Sequence, residues 1–126
     1  YASNTIQPSY PIGLDVEVFS FTALKKAWEE ANSVIEREHV TPYIWGNSGS
    51  FKIANIKNNT DLSHLRWTID TKKDLEMTKE VYKKLYVEDE IFYMDDILSM
   101  LKKYTYISDL NSDVEQLTIS SKGGEI

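Results

Sequence analysis

Apolar and polar positions alternate in two places along the chain and recur at helical spacing in several others. Leu14, Val16 and Val18 alternate with Asp15, Glu17 and Phe19, which predicts a half-buried strand over Leu14–Phe19 with two carboxylates on its other face. Leu65, Trp67 and Ile69 alternate in the same way with Arg66, Thr68 and Asp70, the clearest strand signal in the chain. Phe51–Ile56 predicts a further strand, and Asn58, Asn59 and Thr60 mark a turn after it. The opening segment Tyr1–Ile12 carries Pro8 and Pro11 among polar residues and reads as loop or edge strand.

Ser20 is a good N-cap, and from it Phe21, Leu24, Trp28 and Ala31 form a helical stripe that leaves Lys25, Lys26, Glu29 and Glu30 to solvent. Ser33 and Glu36 make a capping box, so a short helix is expected from Ser33 through Ile35, Val40 and Ile44. Pro42 is expected to kink or end it, and Gly46 to terminate it. Thr71 with Asp74 resembles another helix start. Leu75, Thr78, Tyr82 and Leu85, with Val81 beside them, form the apolar stripe of that helix. A last helix over Asp95–Tyr104 buries Ile97, Leu98, Leu101 and Tyr104; beyond Ser108 the chain turns polar, and Lys122–Glu125 is expected to fray.

Strands alternating with helices give an α/β class. Three short strands are few for a free-standing parallel sheet, whose central strands need cover on both faces. The expectation is therefore half a domain, with partner strands upstream; a start at Tyr1 rather than methionine fits the same expectation. An incomplete sheet exposes an edge and an apolar face, which favour pairing with another chain, a second copy included. Tyr10, Trp28, Trp45 and Trp67 are the aromatic residues expected to line such a surface.

The charge narrows the partners. With 14 basic and 20 acidic residues the net charge is −6, which argues against a nucleic-acid surface and weakens any case for an acidic membrane. No apolar run is long enough to cross a bilayer, and the expected compartment is the cytoplasm. The absence of cysteine excludes disulfides, thiolate nucleophiles and zinc thiolate sites.

No nucleophile–base pair or glycine-rich phosphate loop stands out. His64 reads as a loop histidine with local hydrogen bonds, and Gly46–Gly49 is a turn without a following P-loop lysine. Asp70 ends the best strand signal just before a helix, where a carboxylate can hold Mg²⁺ but can equally be a routine N-cap. Glu38 and His39 are freer than Glu36, which serves the capping box, and can either reach a ligand or stay a solvated charged turn. Asp15 and Glu17 share one strand face and can bind a polyol or simply face water.

Three blocks carry a resemblance. Tyr10-Pro11-Ile12-Gly13-Leu14-Asp15-Val16-Glu17-Val18-Phe19, Glu36-Arg37-Glu38-His39-Val40-Thr41-Pro42-Tyr43-Ile44 and Leu62-Ser63-His64-Leu65-Arg66-Trp67-Thr68-Ile69-Asp70 are similar, in order and spacing, to motifs of the spore coat polysaccharide biosynthesis protein F family. They lie within Tyr1–Tyr86; the remaining tail resembles that family's C-terminal helix only loosely. The family is grouped with cytidylyltransferases that activate acidic sugars, such as those making CMP-linked sialic acid and CMP-linked ketodeoxyoctulosonate.

The resemblance implies the C-terminal half of a nucleotide-diphosphosugar-transferase-like, Rossmann-like three-layer fold. Residues 1–86 would form that half, and residues 87–126 a helical extension and polar tail. It also implies Mg²⁺-dependent transfer of a cytidylyl group from CTP to a sugar. Ile69-Asp70-Thr71-Lys72-Lys73-Asp74-Leu75-Glu76 matches the V-D-T-P-E-D-L-E type motif of the related synthetases, which gives Asp70 the metal role. Glu38 and His39, with Asp15 and Glu17, fall on the sugar side.

Two local departures stand out: Lys72 replaces the usual proline, and Trp45-Gly46 stands where many relatives have a basic residue. The larger one is that the family's CTP-cradling loop and first metal aspartate are not in this sequence. The chain alone is therefore expected to be inactive, since that cradle supplies most of the positioning and electrostatic stabilisation in phosphoryl transfer.

Overall fold

The strand expected over Leu14–Phe19 shrinks to two paired residues in the computed structural model, which describes residues 1–116. Three such short strands, β1 (Ala2–Ser3), β2 (Glu17–Val18) and β3 (Ala54–Asn55), make a sheet of order β2-β1-β3. Ala2 faces Val18 across the antiparallel β1–β2 pair and Ala54 across the parallel β1–β3 pair. The ladder stops early because a side chain takes over from the backbone. Asn4 Oδ1 accepts the Val16 N–H at 2.8 Å, so the expected pleat does not continue. Leu14, Val16 and Val18 are exposed together with Asp15 and Glu17, which corrects the expectation of one buried face. The Phe51–Ile56 strand likewise contracts to β3.

This sheet belongs to a compact unit made of Tyr1–Ser9 and Asp15–Asn59 with Gln116. Its helices are α1 (Phe21–Glu30), α2 (Val34–Glu38) and α3 (Pro42–Gly46). Ser20 caps α1 as expected, its Oγ accepting the Ala23 N–H at 3.1 Å. The buried face differs from the expected stripe. Ala27 and Ala31 are buried, whereas Phe21 is 79% and Trp28 68% exposed. The reason is close approach: α1 packs against α3, whose Ile44 is fully buried, and alanine lets the helices come together. Ser33 and Glu36 form the expected capping box at α2. The chain then breaks and restarts, so Pro42 neither kinks nor ends a helix. It occupies the first turn of α3, where its missing N–H and fixed φ suit a helix start.

A second unit comprises Tyr10–Leu14 and Thr60–Glu115. The strand expected over Leu65–Asp70 is reduced to a parallel bridge between Ile12 and Arg66. Ile12 donates to Leu65 O at 2.8 Å and Trp67 donates back to Ile12 O at 2.7 Å. Gly13 sits beside this bridge at φ 102°, and a Cβ there would lie 2.8 Å from Thr68 N and Trp67 C, so glycine is required. Leu65 and Trp67 pack half-buried against the core as the alternation expects, but it fails at two positions: Arg66 is buried and Ile69 exposed.

Arg66 is buried because it meets Asp74. Its Nε donates to Asp74 Oδ1 at 2.9 Å and its Nη2 to Asp74 Oδ2 at 3.2 Å. Asn111 closes the cluster, donating to Asp74 Oδ1 at 2.9 Å and to Arg66 O at 3.0 Å. Asp74 lies in the first turn of α4 (Lys72–Leu85), where it also completes the capping box with Thr71. With Asp74 pointing inward, Met77 and Val81 follow on the same face, and Leu75 and Tyr82, expected in the core, are exposed. Met77 and Val81 pack with Met100 and Leu101 of α5 (Met94–Lys103) and Ile107 of α6 (Tyr106–Asp109). The expected last helix matches α5 within a residue at each end, although Ile97, Leu98 and Tyr104 are only half-buried. Within the segment beyond Ser108 that is expected to turn polar, Asn111 is nearly fully buried, and Ile107 just before it is fully buried. The expectation for Lys122–Glu125 lies outside the described residues. Among those, no helix is long and apolar enough to cross a membrane.

Burial pushes the Asp74 carboxyl up, and this is the largest single influence on it. Hydrogen bonds from Arg66, Asn111, the Asp70 amide and Thr71 together outweigh burial and hold the group well below the usual carboxylate range. Two predictions follow from this cluster. Asp74→Ala leaves Arg66 buried without its main counter-charge and should cost about 3–5 kcal/mol in a urea titration. Because Asp74 is more acidic folded than unfolded, its contribution is complete above the unfolded pKa of about 3.9 and is lost as pH falls towards the folded value. Urea midpoints measured from pH 5 to pH 2 should therefore drop in the wild type below about pH 4 and drop less steeply in Asp74→Asn.

Candidate functional site

The four residues expected on the sugar side come from two stretches of the first unit. Asp15 and Glu17 precede and open β2, while Glu38 ends α2 and His39 is its C-cap. The structure brings all four to one cavity of about 1030 Å³. Tyr1, Phe19 and Trp45 give it aromatic walls, and Thr41, the N-cap of α3, closes it beneath Glu17.

Glu17 is held by two hydroxyls in this cavity. Thr41 Oγ1 donates to Glu17 Oε1 at 2.9 Å and approaches Oε2 at 3.2 Å, and the Tyr1 hydroxyl also donates to Oε1. Thr41 is buried, so it holds the carboxylate from below. The Tyr1 ring stacks on Phe19 with centroids 6.4 Å apart and planes 16° from parallel. Burial, and then the hydrogen bond to Glu17, push the Tyr1 phenol up to about 12. Burial and the neighbouring Glu17 charge raise the Asp15 carboxyl in the same sense. The arrangement supplies hydrogen-bond acceptors beside flat apolar surfaces, a combination that suits a polyol ring.

Asp70 belongs to the second unit. Thr71, not Asp70, caps α4, which removes the cap reading of Asp70 and leaves its side chain 61% exposed. Asp70 Oδ2 accepts from Arg66 Nη2 at 2.8 Å and faces Thr68 Oγ1 at 3.5 Å. Arg66 thus holds Asp74 inside the unit and Asp70 at its surface. Among the described residues there is no group of three or more His, Asp or Glu placed to hold a metal ion. One exposed carboxylate still fits Mg²⁺, which takes one or two protein carboxylates and fills its remaining positions from phosphates and water. His64 lies in the turn after Asp61, whose Oδ1 takes the Ser63 N–H at 2.9 Å and the Ser63 hydroxyl at 2.6 Å.

Sequence reasoning missed Tyr1, Phe19 and Thr41 as parts of this cavity. For Thr41 a signal exists, because Thr-Pro ahead of an apolar run marks an N-cap followed by a first-turn proline. Tyr1 reaches Glu17 only through the β1–β2 pairing, and no short-range pattern announces it.

No protein-family model matches the chain. An uncharacterized protein of Methanocaldococcus jannaschii is 38% identical over 109 residues, covering 83% of this chain and 43% of that protein. A solved cytidylyltransferase from Leptospira borgpetersenii serovar Hardjo-bovis matches with a TM-score of 0.79 at 28% identity, covering 94% of this chain and 47% of that chain. The chain therefore spans less than half the length of either. Over nearly all of its own length, this mixed α/β chain with a small three-stranded sheet is similar in structure to a cytidylyltransferase.

Proposed function

We propose that the chain is the C-terminal part of a sugar-activating nucleotidyltransferase that moves a cytidylyl group from CTP to a sugar in polysaccharide or spore coat biosynthesis. On its own it is inactive. The observation that carries this reading is the structural likeness to a cytidylyltransferase over 94% of the chain. In the reaction a sugar oxygen attacks the α-phosphorus of CTP, the bond to the β-phosphate breaks, and pyrophosphate leaves. Glu17, fixed by Thr41 and Tyr1, orients the sugar with Asp15, Glu38 and His39. Asp70 would hold Mg²⁺, which supplies charge neutralisation on the phosphates when bound. Arg66 fixes the Asp70 carboxylate from the side of the fold.

A second reading has an observation of its own. Phe21, Trp28 and Val34 of the first unit are strongly exposed, as an assembly or regulatory module without catalysis would require. Of the aromatic residues expected on such a surface, Trp28 is exposed, whereas Tyr10, Trp45 and Trp67 are half-buried.

Pyrophosphate release with CTP, Mg²⁺ and a panel of sugars separates the two readings. The chain alone should be silent and the complete protein active. In the complete protein Asp70→Asn should lower kcat by roughly 100-fold or more, the loss typical of a group that stabilises charge in the transition state. A near wild-type rate for that variant would remove the metal role of Asp70. Silence of the complete protein with every sugar would favour the assembly reading.

A further inference from the structure

The first-unit cavity is biased in its charge. Asp15, Glu17 and Glu38 line it, and among its described lining residues there is no lysine or arginine side chain. The one basic side chain among its described lining residues is that of His39. Ionised carboxylates only accept hydrogen bonds. Two of the hydroxyls that line it, those of Tyr1 and Thr41, are already spent on Glu17. The carboxylates favour an occupant that brings donors of its own, and a further carboxylate would add a fourth negative charge. The volume of about 1030 Å³ is that of a small-molecule site rather than of an ion. The three carboxylates are not a cation cage either, since among the described residues no such group is placed to hold a metal.

We infer that this cavity takes a neutral or amino-bearing sugar and discriminates against acidic ones. The inference rests on the proposed function only in treating the cavity as the sugar subsite. It departs from the acidic-sugar substrates that the sequence resemblance implies. Hydroxyls or an ammonium of such a sugar donate to Asp15 and Glu38, while its C–H face lies on the aromatic walls of Tyr1, Phe19 and Trp45.

Glucosamine, glucose and glucuronate share one ring and carry charges of +1, 0 and −1, so they isolate the effect of charge. Their binding to this chain can be measured by ligand-observed NMR at low ionic strength, where surface charge is least screened. Glucosamine and glucose should bind at least about tenfold more tightly than glucuronate, one decade being a modest electrostatic discrimination. The gap should close to within about threefold in the Asp15→Asn, Glu38→Gln double variant, with its fold checked by circular dichroism. Glu17 is left intact because buried Thr41 depends on it. Glucuronate binding as tightly as the others, a gap unchanged in a folded double variant, or no binding by any of the three would overturn the inference. Nucleotide transfer in the complete protein is scored separately. The binding order kept, with no transfer to any sugar, removes the proposed function alone; transfer that prefers acidic sugars removes this inference alone.

Discussion

The second unit depends on one ion pair. Arg66 and Asp74 are both buried, and taking two such charges out of water costs several kcal/mol per ion before their mutual attraction is counted. The cost is offset because each partner is almost fully used. The guanidinium forks onto both Asp74 oxygens, and the carboxylate also receives Asn111, Thr71 and the Asp70 amide. The pair also works as a geometric constraint. A carboxylate pinned in the first turn of α4 fixes how that helix is rotated about its axis. The residues three and seven positions on, Met77 and Val81, then become the core and Leu75 becomes surface. Asp70 receives its place from the same guanidinium, so the residue proposed to bind a cation is set by an interaction that is otherwise structural.

That constraint explains what the sequence could and could not reveal. The helix starts were legible because caps are local: Ser20, the Ser33–Glu36 box and the Thr71–Asp74 box are satisfied within three residues. The helix α5 was legible for a related reason, with Asp95 and Asp96 in its first turn and Lys102 and Lys103 in its last agreeing with its apolar spacing. The helix faces were not legible. Periodicity says which residues share a face but not which face is covered. In α4 the answer came from Arg66, eight residues before Asp74, and from Asn111, 37 residues after it. In α1 it came from the approach of α3, which selects alanines over the larger Phe21 and Trp28. The Leu65–Asp70 alternation misled because a buried arginine has no apolar signature.

The candidate site was legible in a different way. Besides the resemblance, Asp15 and Glu17 stand out for sharing a strand face and Glu38 and His39 for their freedom from capping duty, and the fold sets all four around one cavity. Composition could not show the supporting residues. Thr41 holds Glu17 only because Pro42 restarts the helix there, and Tyr1 reaches it only because β1 pairs with β2.

The first unit has a thin apolar core of Ala27, Ala31 and Ile44, and buries Ser3, Asn4, Ser9 and Thr41 beside it. Each of these polar groups is satisfied by a directed bond, such as Asn4 to the Val16 amide, Ser9 to the Asn58 amide and Thr41 to Glu17. Directed bonds specify geometry more sharply than apolar contacts of the same energy, because they fail beyond a few tenths of an ångström or a modest tilt. A unit held this way has little apolar burial to lose, but its cavity wall is defined at particular atoms. Glu17 shows the consequence: Thr41, buried beneath it, both completes the interior and aims the carboxylate. Changing Glu17 therefore perturbs the fold and the site together, whereas Asp15 and Glu38, which share the cavity and are exposed, can be exchanged to alter its charge alone.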